Sequence, residues 1–212
     1  EDGEHCQHAG AARQQRTEVP RQQSGEGHPL RRLLLLRLLE RLRDTLSIDA
    51  EVDTGLVFED CLLPGRPEKP FLVEPKFLAK RSLSKPEGRA ALLHAVAHIE
   101  FNAINLACDA VQRFSRMPAE YYRDWISAAG DAGRHFGLLQ ERLNALGYRY
   151  GDFEAHDGLW EMAERTKHSC LERMALVPRL LEARGLDVTP GMIEKLRQAA
   201  DDESITILEV IL

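Results

Sequence analysis

The chain has 212 residues, 43% hydrophobic and 29% charged, enough for one sizeable core and a tail but not for two full domains. A formal net charge of −6 leaves no concentrated positive surface for a phosphate backbone, so nucleic acid is not indicated as a partner. Four scattered cysteines, Cys6, Cys61, Cys108 and Cys170, lack metal or dithiol spacing and read as reduced thiols of a cytoplasmic protein. No run approaches the ~18 consecutive apolar residues of a membrane span. The longest apolar cluster, Leu33 to Leu39, is broken by Arg37, so no membrane partner is expected.

Residues 1–29 hold almost no large apolar side chains and predict a disordered tail. Residues 30–85 predict an amphipathic helix over Leu30 to Leu46, followed by a strap in which Pro64, Pro67, Pro70 and Pro75 break any long periodicity. Residues 86–212 predict a helical bundle. Its first helix should follow the capping-box spacing Ser84 to Glu87 and run to about Phe114. Pro118 opens a second helix, stopped at Gly147. Asp157 caps a third that carries Pro178 and ends at Gly185, and Thr189-Pro190 restarts a short one. The apolar pattern falters at Asp201-Asp202, resumes from Ile205, and ends at Leu212 with no capping residue, which reads as a truncated helix. The expected class is all-α, a ferritin-like four-helix bundle truncated in its last helix.

On the first helix Leu93, Val96, Ala97, Ile104, Ala107 and Val111 share an apolar arc with Glu100 at its centre. A carboxylate there must be paired, protonated or metal-bound, because an isolated buried charge costs several kcal/mol or more. Metal and a salt bridge remain equally open from the position alone. The opposite arc, with His94, His98, Asn102 and Asp109, reads as solvated despite the i, i+4 spacing of the two histidines. Glu161, Glu164 and His168 read the same way. On the second helix Tyr121, Trp125, Ala128, Ala132, Leu139, Leu143 and Leu146 form the apolar face, and His135 on its flank reads as a core histidine or a ligand.

The segments His98-Ile99-Glu100, Arg134-His135-Phe136 and Glu182-Ala183-Arg184-Gly185-Leu186-Asp187 resemble a ferritin-like family of unknown function, the domain of unknown function 455 type. Leu63 to Pro67, His156 to Glu161 and Arg173 to Leu176 extend the resemblance over about Leu63 to Leu212. The family is distantly similar to the di-iron tRNA hydroxylases and rubrerythrins. Di-iron bundles take one Glu from each of two helices and Glu-x-x-His from each of the other two. The resemblance therefore implies an iron cofactor, with Glu100, His135 and Glu182 as metal ligands.

Two departures limit that site. Ala132 stands where the pattern needs a Glu three residues before His135, with Asp131 next to it but about 100° around the helix. No Glu-x-x-His follows Glu182 before Leu212. By analogy with the spacing from Glu100 to His135, the second imidazole is expected just past the end of this chain. The reading is a degenerate or incomplete metal site that holds iron weakly or not at all, in a relative of di-iron oxidoreductases. The rival is a metal-free interaction protein that forms a homodimer through surface a fourth helix would cover. The substrate is not legible.

Overall fold

A computed structural model describes residues 66–178 and 183–211. The expected tail, the Leu30 to Leu46 helix, the strap up to residue 65 and Glu182 lie outside the described residues. Everything regular among the described residues is helical apart from one isolated parallel bridge, Leu72 to Ala155, so the class is all-α.

Two long helices dominate. The first, α1 (Pro86–Arg113), starts with Pro86 in its first turn, where the missing N–H costs nothing. The expected capping box does not form: Lys85 occupies the cap position, Ser84 Oγ bonds Ser82 Oγ at 2.8 Å, and Glu87 turns to Arg81 Nε at 3.1 Å. The second helix, α2 (Ala119–Ala145), folds back along α1 and ends as the sequence predicts. Gly147 takes φ 83°, its N–H bonds Asn144 O at 3.0 Å, and Tyr148 N–H reaches Leu143 O at 2.9 Å, the two bonds of a Schellman cap.

The third helix is not long. It is divided into α3 (Gly158–Arg165) and α4 (Cys170–Leu176). Thr166 ends α3 by turning its hydroxyl onto Met162 O at 2.8 Å, and Ser169 caps α4 through Glu172 N–H. Asp157 does not cap α3 with its side chain, which is held by Arg66 instead. Gly185 and Thr189-Pro190 are neither an end nor a restart, because α5 (Ala183–Gln198) runs through all three. Thr189 Oγ1 donates to Gly185 O at 2.7 Å, next to the backbone bond that the Pro190 ring removes. The predicted interruption at Asp201 is real: Ala200 takes φ 51°, and α6 (Asp202–Ile211) begins beyond it.

Leu93, Ala97, Phe101 and Ile104 of α1 meet Ala132, Phe136, Leu139 and Leu143 of α2, and α5 and α6 close the core with Ile193, Leu196, Ile205 and Leu208. A second core joins Leu106, Ala107 and Ala110 to Trp125, Ala129, Trp160 and Val177. Ala128, expected inside, is exposed; its neighbour Ala129 takes the buried place. By length and composition α1 could cross a bilayer, with a mean hydropathy of 1.2 over 18 residues. Of that window 56% is buried inside the protein, as befits a helix packed on several sides.

Asp201 binds the helix ends together. Its Oδ1 accepts from Arg142 Nη2 of α2 at 2.7 Å and from Ser204 N–H at 3.2 Å, while Arg89 Nε of α1 lies 3.0 Å from Oδ2. Burial alone would raise the carboxyl pKa, but the Ser204 and Arg142 hydrogen bonds outweigh it and hold it below the ordinary 3.8. The lowered folded pKa means that Asp201 stabilises the fold above pH 3.8, and that this contribution is lost as pH falls through the folded value. Asp201→Ala leaves Arg89 without its carboxylate and Arg142 with Glu203 alone, and is expected to cost about 3 kcal/mol at neutral pH, measured by urea denaturation. A loss under roughly 0.5 kcal/mol, the range of ordinary surface substitutions, would show that the cluster is dispensable.

Candidate functional site

Glu100 and His135 come from the facing sides of α1 and α2, and both side chains are mostly buried. His135 Nδ1 lies 3.6 Å from Glu100 Oε2, long for a hydrogen bond. Burial, helped by the Arg134 charge and opposed by Asp131, lowers the His135 pKa below 6.5, so the ring is neutral at pH 7. Two donors each about 2.1 Å from a tetrahedral ion stand about 3.4 Å apart, so the observed separation suits one shared ion.

The surroundings do not extend the pair into a larger ligand set. Ala132 is buried in the core, and Asp131 is ion-paired with Arg134 on the rim of the helix. Among the described residues no three of His, Cys, Asp and Glu gather as metal ligands. Glu182 lies outside the described residues, so the structure joins two of the three predicted ligands and leaves the third unplaced. Among the described residues, then, the donors brought together are the two of Glu100 and His135, fewer than a di-iron centre uses.

The arc of α1 expected to be solvated is in fact buried. His94 is 1% exposed, His98 6% and Asn102 1%. The turn after α2 covers them: Gly151 N–H donates to His94 Nε2 at 2.9 Å, and Tyr150 Oη lies 2.8 Å from His98 Nδ1. Asn102 Nδ2 is 3.1 Å from His98 Nε2, so the ring is held at both nitrogens. Gly151 has φ 105°, and a Cβ there would stand 2.9 Å from Lys69 Cβ, so only glycine lets the turn press between α1 and the strap. The strap is bonded to the same region by Val73 N–H to Ala155 O at 2.9 Å and Ala155 N–H to Phe71 O at 3.0 Å. Helical periodicity identified the stripe; it carried no sign that a distant turn would cover it.

Sequence reasoning also missed the fully buried Arg173. It donates to Asp109 Oδ2 at 2.8 Å, Thr166 Oγ1 at 2.9 Å and Ala163 O at 2.7 Å, so all three of its nitrogens are used. Its guanidinium carbon sits 5.5 Å from the centre of the Phe114 ring. This is a fully buried fastening between α1, α3 and α4. Cys108 and Cys170 are free thiols; Cys6 and Cys61 lie outside the described residues.

A family model described as a protein of unknown function (DUF455) matches residues 31–212. A protein of Haemophilus influenzae that carries only the name "Uncharacterized protein" is 56% identical over 153 residues, covering 69% of this chain and 53% of that one. The chain thus spans about half the length of that relative. No solved structure matches it.

Burial of His94 brings its pKa from 6.5 down to about 4, against a small opposing pull from Asp152. His98 reaches about 4 through burial first and then the charges of His94, Arg66 and His156. Because both folded values lie below 6.5, the unfolded chain takes up protons first, and stability is full above pH 6.5 and falls toward pH 4. His94 alone is expected to remove about 2 kcal/mol between roughly pH 7 and pH 5. His94→Gln, which keeps an acceptor for Gly151 N–H, should flatten that slope in denaturation series; an unchanged slope would show that His94 does not govern it.

Proposed function

We propose that this chain, which belongs to the DUF455 family of proteins of unknown function, is a ferritin-like protein related to the di-iron carboxylate oxidoreductases. Its centre is degenerate and holds at most one metal ion, between Glu100 and His135. The observation that carries this reading is the 3.6 Å approach of a carboxylate and a neutral imidazole across the α1–α2 seam. It is supported by the sequence segments that resemble the di-iron families, and limited by Ala132 and by the engagement of Asp131 with Arg134. What the longer relatives do as whole proteins belongs to the same proposal: iron-dependent oxidation of a substrate not yet identified.

An ion bound here would supply Lewis-acid or one-electron redox chemistry. Glu100 would bring the neutralising charge and a hard oxygen donor. His135 would bring a nitrogen lone pair, which its lowered pKa keeps free of a proton at neutral pH. The packed side chains of Ile104 and Phe136 exclude water from the adjoining core, which strengthens the electrostatic contact of the pair. Two protein donors alone bind weakly, because metal affinity grows with ligand number and with the order of the surrounding shell.

Titration with Co²⁺, read by its visible bands, together with elemental analysis after loading with Fe²⁺, should find no more than one ion per chain. Glu100→Gln and His135→Asn are each expected to remove that binding while circular dichroism stays helical. Two tightly held ions would overturn the single-ion reading. Binding that survives both substitutions would place the ion elsewhere, and no binding at all would favour the metal-free interaction protein.

A further inference from the structure

Exposed apolar side chains and exposed cations coincide on the strap. Of the seven large hydrophobic side chains exposed among the described residues, Ile99, Leu171, Val188 and Val210 stand singly on four different helices. Phe71, Leu72 and Phe77 instead lie within seven residues of one another and are 64%, 42% and 63% exposed. Scattered apolar residues on a surface are ordinary, whereas a group of them marks a contact site. The backbone that holds the group outward is fixed: Val73 N–H and Phe71 O are bonded to Ala155, and Pro75–Phe77 forms a 3₁₀ turn.

The same stretch is basic in an acidic chain. Residues 66–85 carry Arg66, Lys69, Lys76, Lys80, Arg81 and Lys85 against Glu68 and Glu74, whereas residues 86–212 carry more acidic than basic side chains. Arg66 is paired with Asp157 and Arg81 with Glu87, while all four lysines are exposed. Lys76 meets Glu74 at 2.7 Å, but both side chains are 65% exposed and a pair of that kind is weak. Each exposed ring has an ammonium beside it: Lys69 Nζ stands 5.9 Å from the centre of the Phe71 ring, and Lys76 Nζ 4.9 Å from that of Phe77.

We propose that the strap is a peripheral contact for an anionic lipid surface. Phe71, Leu72 and Phe77 enter the boundary between headgroups and acyl chains, and Lys69, Lys76, Lys80 and Lys85 meet the lipid phosphates. The apolar groups gain by leaving water, and the long lysine stems let the charges stay at headgroup level beside them. No helix crosses the bilayer in this arrangement, so the lack of a spanning apolar run in the sequence does not bear on it. A nucleic acid would also attract the lysines, but it binds by stacking bases on ring faces. Here the ammoniums stand over those faces, and Leu72 offers a base nothing to stack on. Because residues 86–212 are net acidic, an anionic surface repels the rest of the chain and leaves the strap as its point of approach. The proposal is independent of any metal at Glu100 and His135.

The test sediments the full-length chain with vesicles of equal parts phosphatidylcholine and phosphatidylserine, and with vesicles of phosphatidylcholine alone. Binding to the mixed vesicles is expected, several-fold weaker on the neutral ones and at high salt. Phe71→Ser, Phe77→Ser, Lys69→Gln and Lys80→Gln should each weaken it by roughly fivefold, with helical circular dichroism unchanged. Leu171→Ser, which removes an exposed leucine far from the strap in sequence, should leave it as it is. The proposal fails if the mixed vesicles are not bound, if neutral vesicles bind as well, or if Leu171→Ser acts like the strap variants. It fails also if both phenylalanine variants bind normally, which would reduce the contact to charge alone. A single-stranded oligonucleotide that bound more tightly than the vesicles and depended on the same two rings would assign the strap to nucleic acid instead.

Discussion

Helix α1 has almost no face in solvent: between Gly88 and Arg113 only Ala95 and Ile99 are exposed. Every polar residue on it must therefore find a partner inside the protein, because a buried polar or charged group left alone costs more than most single contacts return. Much of the rest of the architecture answers that requirement. Asp109 is met by Arg113 from its own helix and Arg173 from α4, Glu100 by His135 from α2, and His94 and His98 by the turn at 148–153. Short helices and turns are held where they are by polar groups of α1 as much as by the apolar core.

The ionic fastenings lie away from the middle of the α1–α2 seam. Asp201 gathers Arg89 and Arg142 where α1 begins and α2 ends; Arg173 gathers Asp109, Thr166 and Ala163 near the other end of α1. Each draws on helices far apart in sequence, so neither forms until the chain has collapsed. Buried ion pairs of this kind stabilise little relative to well-packed apolar residues, but breaking one partner is expensive, and so they fix which ends meet. Between them the seam keeps Glu100 and His135 within 3.6 Å while its other buried positions are apolar.

That arrangement separates two chemistries on opposite sides of α1. On the α2 side, a carboxylate and an imidazole stand 3.6 Å apart across the seam. On the strap side, His98 Nδ1 and Tyr150 Oη lie 2.8 Å apart beside a cleft lined by Arg66, Phe71, Leu72 and Phe101. Phe101 touches both regions, packing on Phe136 with ring centres 6.0 Å apart while lining the cleft.

The sequence by itself determined the helical class, the bounds of α1 and α2 to within a residue or two, the stop at Gly147 and the break at Asp201. All of these follow from local signals: a 3.6-residue period and a proline or glycine at a helix end. The tertiary structure alone decided whether a polar arc faces water or another part of the chain. His94, His98 and Asn102 look like a solvated face on a wheel because a wheel knows only one helix, whereas the turn that covers them arrives from about fifty residues away. The same blindness hid the division of α3 from α4 around buried Arg173 and the use of Asp157 as a partner for Arg66 rather than as a cap. A side chain that can serve its own backbone or a distant charge is assigned only when the distant charge is in place, since the free energies of the two uses are similar and contact decides between them.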